Sequence, residues 1–321
     1  MNILIIGGTN FIGWKLVELL HIADKTVIVV NRGNKKKQYP NNTTHIALDR
    51  NDYGGMISLL KEQYFDVVFD MCAFNGNDMK HTIDLFDKKV GKYVFISSAA
   101  TYLEPAVLPI NEDFEQGIHP VWGIYGNGKL ECERILLDAY KEKGFPAIIV
   151  RPSYVYGIGN TIDRETFLFD RITKGRTILM PGYGESVIQL GEVTDLCEAL
   201  IKIAELPGGI GNCYNISGNE YLTLKGLVDI IALILKKDPK IVYIDPRKYG
   251  MKDRDIFPFD NSTYFTSCKK YSNEFNWEPK VSLMQGLSLA YNFWVNSESK
   301  IKTKYEKEDV VLTDLLSHGI I

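Results

Sequence analysis

Tyr125 and Lys129 stand four residues apart in the segment IYGNGK, and the hydroxyl-bearing run FISSAATY precedes them. On a helix that spacing puts both side chains on one face. Leu130, Ile135, Leu136 and Leu137 continue the segment at helical apolar spacing. A phenol ionises near 10, so a tyrosine acting as a base at neutrality needs its pKa lowered by roughly 3 units, worth about 4 kcal/mol. An adjacent ammonium supplies part of that bias. Ser98, in the preceding run, is the candidate to hydrogen-bond a substrate oxygen. Most Tyr/Lys pairs at this spacing are structural, so the surroundings decide what this one means. Gly126 and Gly128, inside the expected helix, each cost about 1 kcal/mol relative to alanine, which points to close backbone packing or a loosened first turn.

The elements that must position these groups begin at the first residue, with MNILIIGGTNFIGWKLVELL. Asn2 to Ile6 read as a strand buried on both faces, and Phe11, Ile12, Leu16, Leu19 and Leu20 recur as on a helix. Gly7, Gly8 and Gly13 lie between and around them. Strand, glycine turn and helix together aim a helix N-terminus at an anion such as a pyrophosphate. The middle glycine of a G-x-x-G-x-x-G spacing is Asn10 here, a residue expected to sustain the turn because it tolerates left-handed geometry. A second strand, KTVIVVNRG, follows at βαβ distance. HIALD, FDVVFDMC, KYVFISS and AIIVRPSYVYG then alternate with helical patterns. The prediction is an α/β fold with a doubly wound parallel (Rossmann) sheet over residues 1–157. A bound oxidised nicotinamide would add positive charge beside Tyr125.

Past Gly157 the rhythm changes, and a smaller α/β substrate domain is expected over 158–186 and 208–295, with 187–207 returning to the first domain. The crevice at the carboxyl ends of the strands is the expected ligand site. Residues 296–321 read either as a tail that docks a final short helix or as a solvated charged segment.

The chain has 321 residues, 45% of them apolar and 24% charged, with a net charge of -3. These are the values of an ordinary globular protein, with no global footprint for nucleic acid. Five scattered cysteines, without a C-x-x-C pair or metal-like clustering, read as buried hydrophobes in a reducing compartment. The first residues already form a core strand, and no apolar run is of membrane-spanning length. A cytoplasmic location, no membrane partner and no metal are the expectations.

The motifs GGTNFIG, ISSAATY, YGNGK, RPSYVYGIG and NEFNWEPKVSLMQGL make the chain resemble the extended short-chain dehydrogenase/reductase superfamily, in its NAD-dependent epimerase/dehydratase group. The likeness covers residue 1 to about residue 295. SSAATYL, IQLGEVTDL, YNISGNEYLTLKGL and FPFDN are most similar to the branch of chloroplast stem-loop-binding proteins and their bacterial relatives. The resemblance implies Tyr125 as catalytic acid/base, Lys129 as its electrostatic partner and a ribose ligand, and Ser98 as the third member. It implies Gly7, Asn10 and Gly13 around a pyrophosphate, Asp49 at the adenine amino group, and Cys72 and Ala73 beside the cofactor ribose. Thr9, Phe11, Ile12 and Pro152 join the expected cofactor-binding set. Asp66 and Asp70 could equally be caps. A homodimer paired through helices around Tyr125 is also implied.

Three departures narrow these expectations. The acid that holds the ribose 2'-hydroxyl in NAD enzymes is missing from the end of the second strand, where VVNRGNKKK offers Asn31, Arg32 and Lys35 to Lys37. An arginine there fits a 2'-phosphate, so NAD and NADP both stand, with Arg32 favouring NADP. The alternative has Arg32 stacking on adenine and the lysines forming a solvated loop. Ala99 and Ala100 replace the Asp-Glu pair of sugar-nucleotide 4,6-dehydratases, so dehydration is not expected. Ile188 stands where such epimerases carry a diphosphate-binding arginine, followed by Gln189, a candidate substrate ligand. Arg164, Arg171, Lys174 and Arg176 could take an anionic substrate or be plain surface charges.

The expected activity is nicotinamide-dependent hydride transfer at a hydroxyl-bearing carbon of a small molecule, as an epimerase or a reductase. The competing reading is an RNA-binding or cofactor-sensing protein that retains the fold. The net charge, the absence of an RNP motif and the intact Ser98, Tyr125 and Lys129 set speak against it; Lys35 to Lys37 and the tail lysines speak for it.

Overall fold

The computed structural model describes residues 1–35, 38–105, 107–297 and 304–320. The opening apolar run forms β1 (Asn2–Ile6), buried from its second residue onward. Side chains alternate faces along a strand, so Ile3 and Ile5 enter one hydrophobic cluster while Leu4 and Ile6 enter another. That is why the run shows no polar alternation. The further strands β2 (Thr26–Asn31), β3 (Thr43–Ala47), β4 (Phe65–Asp70), β5 (Val90–Ile96), β6 (Ala147–Pro152), β7 (Tyr154–Tyr156), β8 (Thr177–Pro181), β9 (Val187–Glu192), β10 (Cys213–Ile216), β11 (Tyr221–Thr223) and β12 (Lys240–Ile244) follow in chain order. Helices are α1 (Phe11–Ile22), α2 (Tyr53–Leu60), α3 (Gly76–Phe86), α4 (Gly123–Lys143), α5 (Glu165–Lys174), α6 (Val193–Glu205), α7 (Leu224–Leu235), α8 (Lys269–Phe275), α9 (Leu283–Asn296) and α10 (Glu306–Ser317).

The chain divides into two compact units: 1–155, 191–218 and 266–280 form the first, and 156–190, 219–265 and 281–321 the second. The first holds a parallel sheet of seven strands in the order β10-β6-β5-β4-β1-β2-β3. α1 packs on α6, and α3 packs on α4. Strand order reverses between β1 and β4, and such a switch point opens a crevice at the carboxyl ends of the strands.

The expected domain limits differ from this division at 156–157 and 187–190, which fall in the second unit, and at 208–218 and 266–280, which fall in the first. Residues 208–218 join the first unit because β10 extends the sheet beside β6. Residues 266–280 join it because Tyr271, Phe275 and Trp277 are buried in its core, with Tyr214 and Tyr271 5.7 Å apart and edge-on. The second unit pairs β8 with β12 in parallel and β9 with β11 antiparallel. Within the segment read as a tail, α10 packs Val311 and Leu315 with Leu179, Ile244 and Ile256. Among the described residues no helix is long and apolar enough to cross a membrane.

Candidate active site

The turn after β1 takes left-handed geometry at Gly7 (φ 118°) and Gly8 (φ 74°). A Cβ on Gly8 would lie 2.9 Å from Val29 Cγ1, and one on Gly13 would lie 2.7 Å from the Gly8 backbone. Gly13 is therefore a packing glycine that lets α1 sit against the turn. Asn10 does not carry the left-handed geometry expected of it. It is extended, with φ -121°, and the positive φ of 37° falls on Phe11. The Asn10 side chain accepts from Lys35 Nζ at 2.9 Å instead, and among the described residues no side chain caps α1. The helix N-terminus thus faces an open turn, the arrangement that suits a phosphate group.

This turn lines a cleft of about 540 Å³. Of the expected cofactor residues, Gly7, Thr9, Asn10, Asn31, Arg32, Asp49 and Cys72 line it. Phe11 and Ile12 instead pack against the core, Pro152 is buried at the end of β6, and Ala73 is fully buried with its N–H donated to Asp70 at 3.0 Å. The glycine turn and the ends of β2, β3 and β4 line one cleft together with Asp49, and its uncapped helix start and size fit a dinucleotide.

Asn31, where an acid was expected, is a scaffold residue. Its amide donates to Gly7 O (3.1 Å) and Tyr39 Oη (2.8 Å), and its carbonyl accepts from Gly33 N (2.9 Å). Arg32 beside it is exposed. Lys36 and Lys37 lie outside the described residues.

The expectation missed Arg50, which also lines the cleft. Its guanidinium grips both oxygens of Asp70 (2.8 and 3.0 Å) and donates to Thr82 Oγ1 (2.9 Å). Asp70 is fully buried and also accepts from Tyr93 Oη and from Cys72 N (2.9 Å). Burial pushes its carboxyl up, but Arg50 and the hydrogen bonds outweigh that and hold it below the ordinary range. Asp70 thus holds the turn after β4 through Cys72 N and Ala73 N and is half of an ion pair; the cap of α3 is Asn75. Asp66 accepts from the Asn2 N–H at 2.5 Å.

Tyr125 stands in the first turn of α4, 46% exposed, its ring 6.3 Å from that of Phe74. One turn later Lys129 is 2% exposed, and its Nζ donates to Ile96 O at 2.7 Å. Burial lowers the Lys129 pKa to about 8, the principal influence on it. The two glycines explain how α4 comes so close. A Cβ on Gly126 would lie 2.6 Å from Ala100 O, and one on Gly128 would lie 2.0 Å from Phe74 O. The segment carrying Ser98 is therefore held against the start of α4. Ser98 is partly exposed and its Oγ accepts from Ala100 N at 3.1 Å, while its neighbour Ser97 is buried and bonded to Glu133. Glu133 in turn pairs with Arg151 (2.7 Å) in the interior.

Three of the four cations considered for an anionic substrate are otherwise employed. Arg171, 1% exposed, pairs with Glu308 of α10; Arg176 pairs with Asp309; Lys174 pairs with Asp170 at 2.7 Å. They clasp α10 to the second unit. Arg164 is the residue preceding α5, and Gln189 is 1% exposed within β9.

A model of the NAD dependent epimerase/dehydratase family matches residues 3–217. The chain belongs to that family. Among curated members, the 41 kDa chloroplast stem-loop binding protein b of Arabidopsis thaliana is 30% identical over 98% of this chain and 85% of its own. The structure of dTDP-glucose 4,6-dehydratase from Bacillus anthracis in complex with NAD superposes with a TM-score of 0.79 at 24% identity, covering 93% of this chain and 97% of that one. UDP-glucose 4-epimerase from Thermotoga maritima, solved with UDP-glucose, gives 0.78 at 24% identity, covering 92% and 99%. This epimerase/dehydratase chain shares their fold.

Proposed function

We propose that the protein is a nicotinamide-dependent epimerase or reductase acting on a hydroxyl-bearing carbon, in a sugar nucleotide or a related small molecule. One observation carries the reading: Tyr125 stands half-exposed one helical turn before the buried Lys129 ammonium, against the segment that bears Ser98. Tyr125 takes the hydroxyl proton, Ser98 holds the oxygen, and the Lys129 charge favours the phenolate. The dinucleotide supplies the hydride acceptor and donor. Gly7, Thr9 and Asn10 would hold its phosphates, and Asp49 its adenine. Arg32, exposed at the cleft with Lys35 nearby, favours a 2'-phosphate and hence NADP. Ala99 and Ala100 are 2% and 5% exposed and offer no carboxylate after Ser98, which argues against elimination. The sugar-nucleotide enzymes among the structural neighbours support the substrate class.

A second reading, stem-loop RNA binding, is favoured by the name of the chloroplast relative and by Lys35 to Lys37 and the tail lysines of the sequence. The test that separates the two is nucleotide identification after release from purified protein, followed by titration of stripped protein with NAD and NADP. Arg32→Ala is expected to weaken NADP about 10- to 100-fold, the worth of a charge-assisted hydrogen bond or two, and to leave NAD unchanged. Tightly retained NAD(H) indifferent to Arg32 would instead mark an epimerase that recycles its cofactor. Failure to bind either nucleotide would sink the enzyme reading.

A further inference from the structure

Asn31 ends β2, the place where NAD enzymes carry an acid, and its carboxamide makes every hydrogen bond open to it. The nitrogen donates to Gly7 O at 3.1 Å and to Tyr39 Oη at 2.8 Å; the oxygen accepts from Gly33 N at 2.9 Å and from His45 Nε2 at 3.0 Å. A carboxamide has two donors and two acceptor lone pairs, so none is left over for a ribose hydroxyl. Its orientation is fixed by its partners, because Gly7 O only accepts and Gly33 N–H only donates. Those partners come from separate stretches of chain: Gly7 from the glycine turn, Gly33 and Tyr39 from between β2 and β3, His45 from β3. Tyr39 is itself held, stacked on His45 with centroids 4.7 Å apart and 5.5 Å from the Trp14 ring of α1.

We propose that Asn31 is a positioning residue: it locks the glycine turn to the cationic segment after β2, so that one side chain sets both the phosphate cradle and the 2' end of the dinucleotide site. The inference rests on the dinucleotide reading above and deepens it. The bonds on the two sides of the amide do different things. The oxygen closes a turn onto the N–H two residues on; Gly33 there takes φ 68°, with Ala47 Cβ 3.0 Å from where its own Cβ would stand. That turn leaves Arg32 at an exposed corner lining the cleft. The nitrogen holds the carbonyl of Gly7, whose own N–H donates to Val30 O at 2.9 Å. Lys35 Nζ on Asn10 Oδ1, at 2.9 Å, adds a second tie between the same two segments. An aspartate at position 31 would keep the Gly33 turn, since a carboxylate accepts, but would set an oxygen against Gly7 O with no proton between them. Restoring the acid of NAD enzymes should therefore loosen the glycine turn instead of gaining a ribose ligand.

The test pairs nucleotide titration with amide hydrogen exchange, both on the full-length protein. Asn31→Ala is expected to weaken NAD and NADP by the same factor, about 3- to 10-fold, the worth of one lost hydrogen bond, because the glycine turn serves the pyrophosphate common to both. Asn31→Asp should weaken NAD as well, where a ribose-holding acid would tighten it. In the unliganded variants, peptides covering 6–13 and 30–35 should exchange faster, while those from β4 and β5 stay at the wild-type rate and show the fold intact. NAD tightened by Asp, or NADP alone weakened by Ala, overturns the proposal by making Asn31 a reader of the ribose. Unchanged exchange in the glycine turn of both variants overturns the tie itself. Exchange needs no nucleotide, so a protein that shows the coupled change yet binds neither NAD nor NADP keeps the tie and loses the dinucleotide reading.

Discussion

Replacing Arg50 by methionine is the sharpest perturbation of the first unit, because it strands a carboxylate with no exposure to solvent. Arg50 supplies two hydrogen bonds to Asp70 and one to Thr82, tying the loop after β3 to β4 and α3. Removing one partner of a buried ion pair costs about 3–5 kcal/mol, much more than the pair adds over an apolar substitute. The pH dependence follows from the sign of the shift. In the wild type Asp70 is held below its ordinary value, so its contribution is complete above about pH 4 and is lost only as pH falls through the folded-state value. In Arg50→Met, burial is the dominant influence left, and the carboxyl rises above its unfolded value. The variant then binds a proton on folding, so its deficit shrinks as pH falls from 7.5 to 5. Urea unfolding followed by tryptophan fluorescence at both values measures this. Arg50→Met with Asp70→Asn should recover most of the loss, since a neutral amide needs no counter-charge. A deficit below about 1 kcal/mol, or one of equal size at both pH values, refutes the argument.

Two further outcomes follow from the site and from the clasp. Tyr125→Phe removes the proton-transfer hydroxyl from a half-exposed ring, and turnover should fall about 10²- to 10⁴-fold while dinucleotide affinity, read by fluorescence titration, stays at the wild-type level. Equal losses in both would show that Tyr125 serves binding. Glu308→Gln removes one of the two carboxylates paired with Arg171, 1% exposed, and leaves Asp170; thermal unfolding should show the second unit destabilised by up to about 3–5 kcal/mol with unchanged dinucleotide affinity. A change in dinucleotide affinity would show that the Arg171–Glu308 pair acts beyond the second unit.

What the sequence makes legible here is whatever rests on local periodicity. β1, α1 and the alternating strands are recoverable because apolar runs and helical spacing are properties of neighbouring residues. Gly126 and Gly128 announce a close approach for the same reason: glycine in a helix is costly unless something needs the space. The rest depends on partners far apart in the chain. Nothing within HIALDR marks Arg50 as the mate of Asp70, twenty residues later. Asn31 looks like a lost acid until Gly7, Gly33, Tyr39 and His45 are seen around it. Arg171 and Arg176 look like free cations until α10 arrives from more than a hundred residues downstream.

The same distinction explains why the turn chemistry was legible in outline and wrong in detail. A glycine turn needs left-handed residues somewhere, and Asn10 is the candidate by intrinsic preference. The structure gives that geometry to Phe11 instead, because Phe11 packs against the first-unit core and Asn10 is engaged by Lys35. Partial burial of the Phe11 ring offsets much of the roughly 1–2 kcal/mol of left-handed strain. Asn10 is left extended, with its amide directed to the lysine at the mouth of the cleft. Tertiary packing thus decides which residue bears the strain, and in doing so it leaves the Asn10 side chain to accept from Lys35.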